Sequence, residues 1–334
     1  MTTHVQTIKS DGRALVPESG LVIVAKAAGM TSHDVVARMR KLAGTKRVGH
    51  AGTLDPMATG VLVIGIEKAT RLLGHLALTE KAYTATIRLG QSTVTDDAEG
   101  DVLPLPDGAI RASDVSTESL RSAIVGLTGE IEQVPPKVSA IKVNGQRAYH
   151  LTRTGAAPEL KARTVTVWRL DLLGVRPAGD LLDVDVDVTC SSGTYIRAIA
   201  RDLGAVLGTG GHLTALERRR VGPYTIDGAR TLEQLAEHFE YIPLAQAAAE
   251  AFPSVRLDER ETWLMSHGVK LAAPWRAGVG RDPVALGSEG TMAHSTDPNL
   301  AGRTAIAAFG PDGSLIALVA EQDGELQPLA VFVP

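Results

Sequence analysis

The residues around one aspartate in this sequence are of types that could support a catalytic role for its carboxylate. Asp55 is followed directly by Pro56, and proline restricts the preceding residue to extended backbone, so the carboxylate stands on stiffened main chain. Three glycines occur within residues 49–60, where the lack of side chains lets the backbone of a ligand approach closely. His50 adds a flat ring that can titrate. The pattern suits a reactive carboxylate, although an Asp-Pro turn with structural glycines is the simpler explanation of the pattern taken alone.

Regular elements are predicted on both sides of this aspartate. Residues 20–24 form a short apolar run that predicts a buried strand, and residues 61–66 predict another. Between them a helix is expected to begin after Thr31, because Asp34 follows in the spacing of a capping box. Residues 49–60 are rich in glycine and polar residues, and they predict a loop that presents the aspartate.

Alternation and helical spacing predict further elements downstream. Residues 83–89 alternate in the manner of a strand, and residues 183–188 alternate aspartate with valine. A solvated strand face explains these aspartates better than a metal site, because no histidine or further acid clusters beside them in sequence. Residues 96–107 are polar and predict an exposed loop. A helix beginning near Arg197 places Arg201 one turn further on.

Composition shifts suggest three parts of the chain. Residues 1–19 are polar and are expected to be a flexible N-terminal segment. Residues 20–252 contain the strands and helices above and end in an Ala- and Glu-rich stretch, residues 224–251, that predicts helix. Residues 253–334 contain short apolar runs separated by turn residues, which predict a small β-rich domain.

Composition also excludes several kinds of site. The chain has 334 residues, a net charge of −4 and one cysteine, Cys190. A single cysteine rules out an internal disulfide and a multi-cysteine zinc or iron–sulfur site, and it suits a reducing compartment. No apolar run approaches the roughly 18 residues that a membrane-spanning helix needs. The first residues show no apolar core of a secretory signal, so we expect a soluble, cytoplasmic protein.

Charge is segregated along the chain despite the mildly acidic total. Residues 35–50 contain five basic residues and no acid, and residues 137–169 contain seven basic residues and one acid. Residues 227–261 contain three basic and eight acidic residues. A basic face on such a protein can bind phosphates and release their counterions. Solvated surface charge explains the same runs, so charge alone leaves both interpretations open.

A family resemblance goes beyond these patterns. Residues 49–60, with the sequence GHAGTLDPMATG, are similar to the signature of TruB-type pseudouridine synthases, which isomerise a T-arm uridine of tRNA, nucleotide 55. The order and spacing of further matching segments hold from about residue 20 to about residue 224. These segments are residues 29–32, 81–83, 89–91, 95–100, 133–136, 139–142, 145–149, 190–197 and 211–216.

The resemblance implies a fold and a set of active-site residues. The expected fold is an α/β (α+β) catalytic domain, residues 20–252, around a mixed, largely antiparallel sheet with flanking helices. A small RNA-binding β-barrel of PUA type, residues 253–334, is expected to follow. Asp55 matches the family's nucleophile, and Arg197 matches an arginine that pairs with it. The other positions that match substrate-binding residues are His50, Tyr83, Tyr195 and Leu216.

The resemblance also implies a partner and no cofactor. We expect the T-arm stem-loop of tRNA to bind a monomeric protein, without a metal. Departures from the family pattern, such as Glu217 after the matching leucine and Ala25 and Ala27 around Lys26, leave individual backbone contacts less defined. The candidates for contacts with the RNA backbone are Lys26, Arg38, Lys41, Lys46, Arg47, Lys142, Arg147, Arg153 and Arg218.

Other functions remain to be weighed against this one. A factor that binds or folds tRNA, with dispensable isomerase activity, would use the same basic stretches without needing Asp55. A zinc deaminase is excluded by the cysteine count. A methyltransferase is disfavoured, because its Gly-rich cofactor loop should follow a strand, whereas residues 208–211 follow a predicted helix.

Overall fold

The structure is a computed structural model. It describes residues 6–8, 18–136, 142–143, 146–147, 160–273 and 304–333. For residues 6–8, 142–143 and 146–147 the description is limited to the backbone.

The strands, in chain order, are β1 (Gln6–Ile8), β2 (Gly20–Lys26), β3 (Val48–Ala51), β4 (Thr59–Ile66), β5 (Lys81–Leu89), β6 (Ser92–Thr93), β7 (Val102–Leu103), β8 (Gly129–Gln133), β9 (Lys142–Val143), β10 (Gln146–Arg147), β11 (Arg163–Ala178), β12 (Leu181–Cys190), β13 (Gly211–Val221), β14 (Tyr224–Thr225), β15 (Phe239–Pro243), β16 (Ser254–Arg256), β17 (Leu271–Ala272), β18 (Ile306–Phe309), β19 (Leu315–Gln322) and β20 (Glu325–Val331). The α-helices are α1 (Ser32–Leu42), α2 (Leu73–Leu76), α3 (Thr117–Gly126), α4 (Ile196–Val206), α5 (Leu232–Glu237), α6 (Leu244–Ala251) and α7 (Glu259–Ser266). Short 3₁₀ helices cover Glu67–Leu72, Ala112–Asp114 and Ile226–Gly228.

The chain forms two compact units. Unit 1 consists of residues 1–80 and 220–334, and unit 2 consists of residues 81–219. Strand β13 therefore begins in unit 2 and ends in unit 1. Within the part of the chain that the structure describes, no helix is both long and apolar enough to cross a membrane. The division at residue 253 stays a prediction.

The described residues of unit 1 form two sheets. In the first, β2 pairs antiparallel with β4 and with β15, and β3 pairs antiparallel with β4. Strand β1 pairs antiparallel with β15, so residues 6–8 belong to a sheet although they lie in the segment expected to be flexible. The second sheet has the order β16, β18, β19, β20, β17. Its strands confirm the β-rich C-terminal region, including the turn between β18 and β19 at Gly310–Gly313, where Gly313 has a φ of 82°.

Local signals determine the helix that precedes the Asp55 segment. The Thr31 hydroxyl accepts a hydrogen bond from the Asp34 N–H at 3.1 Å, and the Asp34 carboxylate accepts one from the Thr31 N–H at 2.9 Å. This is the predicted capping box, which satisfies main-chain donors that a helix start otherwise leaves open. Val35 and Met39 are buried on one face of α1. Gly44, with a φ of 64°, follows the helix end in the left-handed conformation that favours glycine.

An apolar core joins the two sheets of unit 1. It contains Leu21 and Val63 from the first sheet, together with Phe309 and Leu318 from the second. A further core beneath α7 contains Met265 and neighbours from β16, β18, β19 and β20. The first sheet is thus covered by apolar packing on the side away from solvent, which holds β4 and the segment before it in place.

Unit 2 is built on an antiparallel sheet with the order β5, β12, β11, β8. Residues alternate along β12, with Val184, Val186 and Val188 buried, as predicted from sequence. The three aspartates that alternate with these valines face arginines on neighbouring strands rather than water alone. Asp183 pairs with Arg88 through two bonds of 2.8 and 2.9 Å.

Two predictions of local structure in unit 1 are wrong in part. Residues 49–51 are strand β3 rather than loop, and β4 already begins at Thr59, because pairing of the two main chains outweighs a glycine-rich composition. Residues 224–251 are not one helical stretch, since β15 lies between α5 and α6. Phe239 and Tyr241 are buried on one face of β15, an alternation that the surrounding Ala- and Glu-rich composition concealed.

Candidate active site

The Asp55 connection of unit 1 links β3 to β4 through residues 52–58. Its main chain turns at Asp55, whose carbonyl accepts a hydrogen bond from the Ala58 N–H at 3.1 Å. Gly52 has a φ of 78°, so the turn out of β3 uses a conformation that favours glycine. Asp55 itself is part-exposed, neither sealed in the core nor fully exposed. A carboxylate in this state can still be reached by a ligand.

Ser32 fixes the residue directly before Asp55. The Ser32 hydroxyl accepts a hydrogen bond from the Leu54 N–H at 2.9 Å and donates one to the Leu54 carbonyl at 3.2 Å. Both residues are buried, so these bonds are shielded from competing water. Because Ser32 is the first residue of α1, the connection is tied to a helix rather than left as a free loop.

Lys26 fixes the residue directly after Asp55. Its ammonium donates to the carbonyls of Met30 at 2.7 Å, Ala27 at 3.0 Å and Pro56 at 3.1 Å. The Pro56 carbonyl also accepts from the Gly29 N–H at 2.8 Å. Lys26 is 2% exposed, and this burial conflicts with the contact to the RNA backbone predicted for it. The side chain instead joins the end of β2 to the Asp55 connection.

His50 lies on β3, opposite Ile64 of β4, and is half-buried. Its ring meets the ring of His33 on α1 edge to face, with centroids 5.6 Å apart. The ring is therefore held by a strand and by an aromatic neighbour. Such a placement gives a flat surface of fixed orientation in the same unit as Asp55.

A basic concavity of about 510 Å³ opens beside His50 in unit 1. Two of the predicted RNA contacts, Lys46 and Arg47, line it. Lys68 and Arg71 line it as well, and sequence reasoning missed them because they stand alone after an apolar strand. Glu67 is the acid of this lining, and it pairs with Arg47 at 3.7 Å. The excess of positive charge suits phosphate groups.

The other predicted backbone contacts lie in different settings. Arg38 and Lys41 are exposed on α1, and Arg38 faces Glu233 at 3.5 Å.

Arg218 is 1% exposed on β13, so it too is buried rather than available to solvent. Lys142 and Arg147 belong to the hairpin of β9 and β10, where their side chains are outside the description. Arg153 lies outside the described residues.

In unit 2, Tyr83 of β5, which was predicted to contact the substrate, lies near buried charged side chains. Tyr83 is 7% exposed, and Lys81 is buried on the same face two residues earlier. Lys81 lies opposite Cys190 in the register of β5 and β12. Burial, reinforced by the nearby positive charge of Arg218, lowers the pKa of Lys81 to about 7. Leu216, the predicted apolar wall, is buried on β13.

Arg197 is held by the segment that precedes β7. Its guanidinium donates to the Thr95 carbonyl at 2.9 Å and pairs with Asp97 at 3.3 Å. Arg197 and Asp97 are both buried, which corrects the prediction that residues 96–107 form an exposed loop throughout. The Asp97 carboxylate also accepts from the Glu99 N–H at 3.0 Å. The pairing of Arg197 with the Asp55 nucleophile stays a prediction.

Arg201 repeats this arrangement one turn later on α4. It pairs with Asp202 at 2.8 Å and with Asp96 at 3.3 Å, and it donates to the Val134 carbonyl at 2.8 Å. Burial raises the pKa of Asp96, an effect that Arg201 partly offsets.

Tyr195, the residue before α4, is bonded through its main chain to Gln133. Asp97 and Gln133 occur in the matching sequence segments, but nothing in their spacing indicated these contacts.

Comparisons with known proteins match this chain along most of its length. Residues 40–196 match the TruB family pseudouridylate synthase N-terminal domain. Residues 197–250 match the tRNA pseudouridylate synthase B C-terminal domain, and residues 298–333 match the C-terminal domain of tRNA pseudouridine synthase II. All three families describe pseudouridine synthases, as the sequence resemblance implied.

Individual relatives and structures agree with these families. A protein of Arthrobacter sp. (strain FB24) named tRNA pseudouridine synthase B is 58% identical over 318 residues, covering 95% of this chain and 97% of its own. One of Thermobifida fusca (strain YX) with the same name is 54% identical, covering 94% of this chain and 98% of its own. A chain in the crystal structure of a Cbf5-Nop10-Gar1 complex is 25% identical with a TM-score of 0.66, covering 100% of this chain and 95% of that one. The chain belongs to the TruB family of pseudouridylate synthases, which are isomerases.

Proposed function

We propose that this enzyme isomerises uridine 55 in the T-loop of tRNA to pseudouridine, with Asp55 as the nucleophile. The observation that carries the proposal is the geometry of the Asp55 connection, a part-exposed carboxylate on main chain that Ser32 and Lys26 hold on both sides. Relatives named tRNA pseudouridine synthase B support tRNA as the substrate. A monomeric enzyme acting in the cytoplasm accords with this proposal.

The chemistry needs a nucleophile that can leave again. The Asp55 carboxylate adds either to C1′ of the ribose or to the uracil ring, and the N1–C1′ glycosidic bond breaks. The uracil turns, C5 bonds to C1′, the bond to Asp55 breaks and returns the free carboxylate, the proton on C5 is lost and N1 takes up a proton. Substrate and product are isomers, so no oxidant or group donor is consumed. A carboxylate suits this role because it is ionised at neutral pH and forms an ester that can be released.

The target base must leave its stack to reach such a nucleophile, at a cost of about a few kcal/mol. We assign Tyr83 and Tyr195 to contacts with the flipped uracil and its sugar, and Leu216 to the apolar wall of the uracil pocket. His50 contacts the displaced nucleotide. Arg197 is assigned to the charge of Asp55, because a guanidinium favours the ionised form of a carboxylate.

The basic concavity of unit 1 is assigned to the RNA backbone. Lys46, Arg47, Lys68 and Arg71 bring four positive charges to this lining. Phosphate contacts of this kind position an RNA without reading its sequence. Lys26 and Arg218 are buried, so we assign them to holding the protein rather than to touching phosphates.

Tritium release tests the proposal. Unmodified tRNA labelled at C5 of its uridines should release tritium with the purified protein and no added cofactor, because the C5 proton is lost in the reaction. Asp55→Asn should lower the single-turnover rate by about a thousandfold or more, since it removes the nucleophile itself. The dissociation constant for tRNA should stay within about threefold, because the basic concavity is unchanged.

Two controls decide between outcomes. Asp227→Asn changes an exposed aspartate of unit 1 and should keep wild-type turnover. A tRNA with cytidine at position 55 should release no tritium. Wild-type turnover by Asp55→Asn would reject the nucleophile, and release from the cytidine-55 tRNA would reject the target position.

A further inference from the structure

Gln133 makes an unusual double contact in unit 2. Its side-chain amide donates a hydrogen bond to the Tyr195 carbonyl at 3.1 Å, and its amide oxygen accepts one from the Tyr195 N–H at 2.8 Å. Both polar groups of one side chain therefore bind both polar groups of one residue's main chain. Gln133 is 2% exposed, so the pair of bonds is shielded from water.

Tyr195 occupies a position where the helix needs help. It is the N-cap of α4, and its side chain makes no capping hydrogen bond. Ser, Thr, Asp and Asn are preferred there because they cap the first turn themselves. The N–H of Tyr195 lies outside the bonds of the helix, and the Gln133 oxygen satisfies it. Tyrosine is thus a poor N-cap residue, and its N–H is satisfied by Gln133, which lies outside the helix.

The contact constrains orientation as well as position. A single hydrogen bond holds only one of the two peptide groups that flank Tyr195, whereas bonds to its N–H and to its carbonyl hold both, and with them the backbone angles of Tyr195. Tyr195 has φ −99° and ψ 111°, extended values from which the chain turns directly into α4. Its carbonyl also accepts from the Ala198 and Ile199 N–H groups at 3.1 and 3.2 Å. Gln133 therefore sets the direction in which the Tyr195 side chain leaves the main chain.

We propose that Gln133 is a positioning residue for the isomerase reaction, which orients Tyr195 toward the flipped uridine by clamping its main chain. This rests on the proposed function, since it takes Tyr195 to contact the substrate. Gln133 itself touches no substrate in this assignment. It acts at the end of β8, where Arg163 of β11 pairs with it in register and holds its backbone in the sheet.

Two substitutions of Gln133 distinguish the loss of both hydrogen bonds to the Tyr195 main chain from the loss of only one. Gln133→Leu keeps a similar volume and removes both bonds. Gln133→Glu keeps the acceptor for the Tyr195 N–H, but only its protonated form can donate to the Tyr195 carbonyl. Burial raises the pKa of a carboxyl group, so protonation should come within reach of mildly acidic buffer. Gln234→Leu is the matched control, because Gln234 also bonds main chain at a helix start, the Thr231 N–H at 2.9 Å.

Turnover and binding are measured on the same T-arm stem-loop. We expect Gln133→Leu to lower the single-turnover rate at least tenfold and to change the dissociation constant less than threefold. Gln133→Glu should be slow at pH 8, and its rate relative to wild type should rise several-fold as the pH falls to about 5.5. Gln234→Leu should match wild type in both quantities. Hydrogen exchange of the peptide that contains Tyr195 should be faster in Gln133→Leu.

The outcomes distinguish this proposal from the one on which it rests. If wild type released no tritium from the stem-loop or from tRNA, the proposed function would fail. If wild type were active and Gln133→Leu equalled it, the positioning role alone would fail. It would also fail if the ratio for Gln133→Glu were flat with pH, or if Gln133→Leu lost turnover only in proportion to lost binding.

Discussion

The Asp55 connection in unit 1 and helix α4 in unit 2 both contain residues assigned to the active site, yet different groups hold them. Lys26 and Ser32 bind carbonyls and an N–H beside Asp55. On α4, Arg197 pairs with Asp97 and Arg201 pairs with Asp96. The first set of acceptors is main chain, whereas the second set consists of carboxylates. We therefore expect a charged donor to main chain to matter most in unit 1, and a buried pair of opposite charges to matter most in unit 2.

The largest effect is expected from Lys26→Met. The change leaves three carbonyls without their charged donor in a buried setting, at a cost of roughly 3 to 5 kcal/mol. The free energy of unfolding, from urea curves at pH 7, measures it. Lys41→Met is the matched control, because Lys41 is exposed on α1 and methionine suits a helix equally well. A loss equal to that of the control would show that the three carbonyls do not depend on Lys26.

A smaller loss is expected from Asp97→Asn. It removes the carboxylate that faces the buried guanidinium of Arg197, and breaking one side of a buried pair costs about 3 kcal/mol. Asp114→Asn breaks the pair of Asp114 with Arg111 in the same unit, where both side chains are at least half exposed, and should cost less than about 1 kcal/mol. Equal losses from the two changes would remove the distinction between buried and exposed pairs in unit 2.

The smallest effect concerns acid. The two hydrogen bonds from Arg88 hold the pKa of Asp183 below its ordinary value. A carboxyl with a lowered pKa contributes stability that is present above its unfolded-state pKa and is lost as the pH falls through the folded one. Asp183→Asn should therefore cost about 1 kcal/mol at pH 7 and less below about pH 4. Urea curves between pH 3 and pH 7 measure this difference.

The control for acid lies on the same hairpin. Asp180 is exposed in the turn between β11 and β12, and Asp180→Asn should leave the pH dependence of stability unchanged. If Asp183→Asn also retained the full acid dependence of wild type, the stabilising pair with Arg88 would not account for any part of it.

The sequence determined several features without help from distant residues. The capping box of Thr31 and Asp34 and the alternation along β12 depend on residues within a few positions of each other, so both were predicted correctly. The motif around Asp55 was enough to indicate the family, which the comparisons then bore out. Local rules failed where a partner strand decided the outcome, as for β3 and β15.

Only the tertiary structure decided which charged and polar groups lie inside. Lys26 bonds a carbonyl 30 positions away, Gln133 bonds a residue 62 positions away, and Arg197 bonds one 102 positions away. A lysine or an arginine is buried only when the fold brings acceptors to it, because burying an unpaired charge is prohibitively costly. The sequence by itself therefore indicated which residue types could react. The fold determined which side chains hold them in place.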